Sequence, residues 1–377
     1  MKHRTVCAGA AALALALFLG GAMAASAATA AVDERIQLAI LLDTSNSMDG
    51  LIGQAKTQLW KIVNELARAE RHGRHPVLEV ALFEYGNNGL EQADGYLRMV
   101  SDLTTDLDLI SERLFGLTTN GGDEYCGAVV GRAADRLSWS GSDDALKVIY
   151  IAGNEPFDQG RVPYKASVER AVKKGIVVNT IFCGPGDEGI ATHWKDGAIR
   201  GEGRYLSIDQ DAVVEDVATP FDDDLIRLGE ELNGTYVAYG RGGEEAKFRQ
   251  VAQDANAAAM GAATSVQRSV AKAQEAYTND GWDLADAVQS GTVEVAALKD
   301  DELPAPMRKM SVAEREKYVE GLIASRAELE RRINGLNEQR RAYVEKEMKR
   351  QAQSSTLGEA ILLTVKEQAE REGFALK

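Results

Sequence analysis

Four short aliphatic runs, separated by helical patterns, constrain this chain more than any other feature. The runs are Gln37–Leu42, Leu78–Tyr85, Lys147–Ala152 and Val177–Cys183. The first, third and fourth lack clear alternation, as strands covered on both faces do. Between them lie helical stretches at Gln54–Leu66, Asp108–Leu114, Tyr125–Leu137 and Lys165–Lys174, the last stopped by Gly175. Strands joined through helices pair in parallel, by right-handed crossovers. The exception is Leu97–Val100, which is expected to pair antiparallel with Leu78–Tyr85 across the polar turn at Gly86–Gly95. Tyr205–Ile208 supplies a last strand. The expected architecture is α/β: a doubly wound, mostly parallel six-stranded sheet, followed by an α-helical, partly coiled-coil C-terminal region.

Ligands of such sheets bind at the carboxyl ends of the strands, near the switch point. Three segments are expected to meet there: Asp43-Thr44-Ser45-Asn46-Ser47, the Gly-rich loop Leu117–Tyr125, and Gly153-Asn154-Glu155-Pro156. All carry oxygen donors, the chemistry that suits hard cations. The net charge of −15 argues against nucleic acid or anionic lipid as the main partner. Four histidines and three cysteines, with no CxxC or HExxH, exclude a zinc cluster.

Residues 1–31 read as a secretory signal. Lys2, His3 and Arg4 precede an apolar run, Ala10–Gly20, that is too short for a comfortable membrane span, and small-x-small cleavage sites follow. Cleavage after residue 27 leaves no stretch of about 18 apolar residues, so the expected location is periplasmic or secreted. Export also permits a disulfide between Cys126 and Cys183; two small buried residues are the plain alternative.

The first loop, following a strand and preceding a helix, resembles the DxSxS signature of von Willebrand factor A domains. The similarity covers roughly residues 33–209. It implies a metal-ion-dependent adhesion site, in which the acid and two hydroxyls of the first loop, here Asp43, Ser45 and Ser47, bind Mg²⁺ or Mn²⁺. A threonine from the second loop and an aspartate from the third complete the protein shell, and a partner's carboxylate often fills the open position. Two departures stand out. The second loop has Gly-Gly-Asp where many members have Gly-Gly-Thr, so Asp123 sits at the threonine position, with Thr119 as a substitute. The third loop has Gly153 at the aspartate position, flanked by Asn154 and Glu155. The expectation is that Asp123 offsets the missing acid, with Asn154 or Glu155 acting through water. The rival is a degenerate site without metal.

Residues 210–243 read as a connecting helix and strand, and 244–377 as a helical region. Phe248, Val251, Ala255, Ala258, Ala259 and Ala262 recur at helical spacing. Ser311 and Glu314 form a capping box for a helix extending to Arg350, about 60 Å long. Leu322, Leu329, Leu336 and Tyr343 are spaced by sevens, but Arg326, Arg340 and Glu347 interrupt the companion positions. An antiparallel helical hairpin packed on the Ala-rich helix and a homodimeric coil both fit. The expected function is a non-catalytic, metal-dependent protein-interaction module of the cell envelope. Its alternatives are a structural scaffold acting through the helical tail and a metal-assisted hydrolase. The latter lacks a readable nucleophile–base pair.

Overall fold

The computed structural model describes residues 34–212, 217–348 and 357–376. The signal-like segment lies outside these. Strand β1 (Arg35–Asp43) is aliphatic and buried along nearly its whole length. It leads into α1 (Asp49–Leu66), the short β2 (Ala69–Glu70), β3 (Val77–Tyr85), β4 (Leu97–Thr104), α2 (Leu107–Phe115), α3 (Cys126–Arg136), β5 (Leu146–Gly153), α4 (Tyr164–Val172), β6 (Ile176–Cys183), α5 (Gly186–Ala191), α6 (Trp194–Arg200) and β7 (Glu202–Ile208). The main sheet has the order β4-β3-β1-β5-β6-β7. Only β4 runs antiparallel. The expected strands and the antiparallel hairpin are therefore present. The order reverses between β1 and β5, and the carboxyl end of β1 opens at that switch point.

Alternate residues of β1 serve opposite cores, as a strand's twofold side-chain period requires. Ile36, Leu38, Ile40 and Leu42 face α1 and the C-terminal helices. Ala39 and Leu41 face α3, α4 and Trp194 of α6. This alternation also decides the cysteines. Cys126 belongs to the second core and Cys183 to the first, so the sheet separates them. Both are free and buried, so of the two readings the plain pair of buried residues is the one present, and no disulfide joins them.

Beyond the sheet come α7 (Asp222–Asn233), α8 (Gly243–Met260), α9 (Ala262–Lys272), α10 (Leu284–Gln289), α11 (Val312–Met348), α12 (Leu357–Arg371) and β8 (Ala375–Leu376), which pairs with β2. The expected Ala-rich helix is broken at Gly261, whose φ of +119° lies outside helical space. Its apolar stripe faces solvent: Phe248 is 75% exposed and Val251 50%. The inward face is polar instead. Gln250 bonds the Tyr277 hydroxyl, Gln253 accepts from Ser111, and Asp254 pairs with Arg268 and Lys272.

The capping box of α11 forms, with the Ser311 amide donating to Glu314 Oε2 at 2.8 Å. Its heptad positions, however, turn onto the chain's own α7, α9 and α10. Leu329 and Leu336 pack in the first core, while Leu322 packs beside Val319 and Met307. The interrupting arginines explain this: Arg326 is buried against Asp283, Asp286 and Thr235, and Arg340 against Asp222. A buried arginine is tolerated only where acids meet it. The seam that a dimeric coil would use is thus occupied within the chain.

Helix α12 returns to cover the sheet beside α1. Leu357, Ile361 and Val365 enter the first core, worth roughly 1.5–3 kcal/mol each on full burial. Polar bonds fix its register: Leu357 N donates to Gln54 Oε1 at 2.9 Å, the hydroxyls of Tyr150 and Thr364 lie 2.6 Å apart, and Asn179 exchanges bonds with Gln368.

Candidate metal centre

The carboxyl end of β1 places Asp43 at the switch point with almost no exposure. Its Oδ1 accepts from the Ser45 amide at 2.8 Å, the local turn that reverses the chain toward α1. Its Oδ2 is buried and accepts no well-formed hydrogen bond; the Ser45 hydroxyl and the Asn154 backbone amide lie near enough to draw on the carboxylate's charge without offsetting its burial. Ser45 Oγ and Ser47 Oγ lie 3.3 Å apart. Asn154 Nδ2 donates to Ser47 Oγ at 3.3 Å, while its Oδ1 is buried and unpartnered. First and third loops therefore meet as expected.

The second loop delivers a different acid from the expected one. Asp123 is exposed and accepts from the Tyr125 hydroxyl at 3.1 Å. Glu124 is the buried residue beside Asp43. A Cβ built on Gly86 would lie 2.7 Å from both Asp43 Oδ1 and Glu124 Cγ. Gly86, at φ +77°, therefore permits both the turn and the approach of the two acids. Thr119 also turns away and donates to Asp49 Oδ1 at the start of α1. The missed residue had no readable signal: residues 118–125 have no regular structure, so no period tells which side chain points inward.

Burial is the largest influence on both acids. It pushes Asp43 up to about 7, against the pull of the Ser45 amide and hydroxyl. Glu124 is pushed up to about 7 by burial and then by the charges of Asp43 and Glu155. Groups this close need a shared proton or a cation. The third-loop position that bears an aspartate in the resembling family is closed here. A Cβ on Gly153 would lie 2.4 Å from the Tyr85 hydroxyl and 3.0 Å from Asp43 Oδ2. Glu155 contributes its backbone carbonyl to Trp194 Nε1 at 2.8 Å, which anchors the fully buried Trp194 in its core.

The donor set fits a hard cation. Two carboxylates, two hydroxyls and an amide oxygen converge, and two of those oxygens are buried without well-formed hydrogen bonds. No group of three or more His, Cys, Asp and Glu suited to a metal occurs among the described residues. Hydroxyls, the amide and water would therefore complete the shell.

No protein-family model and no curated protein matches the chain. Solved structures do. One is a conserved hypothetical protein, BatB, from Bacteroides thetaiotaomicron, at 16% identity over 46% of this chain and 90% of that one, TM-score 0.36. Another is proximal thread matrix protein 1 from the mussel byssus, with a zinc-occupied adhesion-site motif, at 14% identity over 48% and 43%, TM-score 0.36. A third is a von Willebrand factor type A protein from Catenulispora acidiphila, at 18% identity over 47% and 39%, TM-score 0.33. The deciding observation is internal to this chain. Its sheet order, its single antiparallel edge strand and its DxSxS turn at the switch point coincide. The fold is of the von Willebrand factor A type. In this A-type fold the first loop is conventional, the second presents Glu124, and the third is bare at Gly153.

Proposed function

We propose that the chain is a non-catalytic interaction module of an exported protein, binding Mg²⁺ or Mn²⁺ through Asp43, Ser45, Ser47, Glu124 and Asn154 and presenting that cation to a carboxylate of a protein partner. The observation that carries the reading is the buried Asp43 Oδ2 without a well-formed hydrogen bond, beside a second buried acid. Such an arrangement is costly unless a cation or proton resolves it. A bound cation would supply a fixed positive charge with an open coordination position. The residues themselves hold and orient it: the Ser45 amide fixes the Asp43 carboxylate, and Asn154 steadies Ser47. Neither serine hydroxyl has a histidine partner among the described residues, which supports binding over acyl transfer. Among the described residues no helix is long and apolar enough to cross a membrane. Calorimetric titration of the full chain with Mn²⁺ and Mg²⁺ tests the reading. Binding is expected in the unmodified chain and is expected to disappear in Asp43→Ala; no heat with either ion in the unmodified chain overturns it.

A further inference from the structure

Beside the metal loops, a cleft of about 830 Å³ runs between α3, the loop before β4, the segment that leads into α4 and the last turn of α4. Four arginines line it: Arg132 and Arg136 from α3, Arg161 from the third loop's continuation, and Arg170 from α4. Two acids, Asp94 and Asp135, line it with them, and Asp123 sits at the Tyr125 hydroxyl at its upper end. Asp94 pairs with Arg132 at 3.3 Å, while Asp135 is shared by Arg170 and Lys174. Arg136 and Arg161 are exposed and make no salt bridge among the described residues. The cleft is thus lined mainly by positive groups although the chain as a whole carries a net charge of −15.

The cleft has a direction. Tyr125, at its upper end, immediately follows Glu124, and the Glu124 amide donates to Gln159 of the third loop at 2.9 Å. Ala128, Arg132, Asp135 and Arg136 then follow one face of α3 down to its last residue. Helix α3 has 11 residues, so it spans about 16 Å. That length accepts about five residues of extended peptide at roughly 3.3 Å each. Arginine forks suit carboxylates because two parallel N–H bonds can meet both oxygens.

We propose that this cleft binds an extended acidic segment of the same protein partner whose carboxylate reaches the metal site. The proposal rests on the metal-site reading for the partner's upper anchor but not for the cleft itself. The segment lies along α3, with its side-chain carboxylates on Arg161, Arg132 and Arg136 in turn. The cleft steers and orients the partner, and the metal site fixes its end.

Fluorescein-labelled hexaglutamate is the probe, with anisotropy read at low and high salt on the full chain. Binding at low salt is expected, with and without chelator, falling at least tenfold when salt is raised. The double variant Arg132→Glu and Arg136→Glu is expected to lower affinity at least tenfold, and Arg161→Glu alone to lower it several-fold. These side chains are at the surface, and an unchanged melting curve establishes that the variants fold. The proposal is overturned by no hexaglutamate binding, by unchanged affinity in the double variant, by equal binding of hexalysine, or by inorganic phosphate binding as tightly as the peptide. A Mn²⁺ titration on the same samples separates the two readings. A flat isotherm in the unmodified chain removes the metal site and leaves the peptide result to decide the cleft alone.

Discussion

The Tyr85 hydroxyl occupies the space that a side chain at residue 153 would need: a Cβ there would lie 2.4 Å from its oxygen. That oxygen also donates to the Ala152 carbonyl at 2.9 Å, so it cannot simply swing away. Restoring the acid of the resembling family by Gly153→Asp should therefore destabilise rather than repair the site. A loss of about 1–3 kcal/mol, typical of overpacking, is expected in urea denaturation. Tyr85→Phe in the same chain should recover part of it. Full stability in Gly153→Asp alone would disprove the steric account.

The exposure of Asp123 and the burial of Glu124 make opposite predictions for neighbouring residues. Glu124→Gln should weaken Mn²⁺ binding at least tenfold. Asp123→Asn should leave it within about twofold. Calorimetry on the two variants distinguishes the residues, and an equal loss in both would return Asp123 to the metal shell.

The raised Asp43 carboxyl sets a pH dependence of definite sign. With its folded pKa at about 7 against an ordinary aspartate value of 3.8, the metal-free folded state holds a proton that the unfolded state has released. Stability from this group is therefore lost as pH rises between about 4 and 7. Compared with Asp43→Asn, the metal-free protein should lose on the order of 2–4 kcal/mol across that window. Thermal melts of both proteins at several pH values, in chelator, measure the difference. Saturating Mn²⁺ should remove most of it, because the cation stabilises the ionised carboxylate. A difference that grows in the opposite direction would contradict the burial of Asp43.

Helix α12 supplies part of the first core although it comes well over a hundred residues after the last strand of the main sheet. A fragment of residues 33–209 should therefore expose Ile40, Leu82 and neighbouring apolar groups, and aggregate. Appending residues 357–376 should improve its solubility and its cooperative melting. Size-exclusion chromatography and circular dichroism read the outcome. A stable monomeric fragment without α12 would show that this helix is dispensable.

Removing the guanidinium of Arg326 would strand Asp283, which is fully buried. Arg326→Met should cost about 3–5 kcal/mol, the usual penalty for an uncompensated buried charge. Urea denaturation measures it, and Asp283→Asn in the same chain should relieve part of the loss.

The sequence by itself determined the strands, their crossovers and the first loop. Aliphatic runs such as Leu38–Leu42, too short for a buried helix, read as strands covered on both faces, and helices between them force parallel pairing. The capping box at Ser311 and Glu314 was equally local, and it formed. Tertiary structure alone decided what depends on direction outside regular elements or on distant partners. It turned Glu124 rather than Asp123 toward Asp43, because an irregular loop has no period from which a facing side can be read. It kept Cys126 and Cys183 apart, because the sheet lies between their cores. It also inverted α8: buried Arg268 and Lys272, and the hydroxyls of Ser111 and Tyr277, needed polar partners, so Gln250, Gln253 and Asp254 turned inward and Phe248 outward. Periodicity reports that a helix has two faces; only its neighbours decide which one is buried.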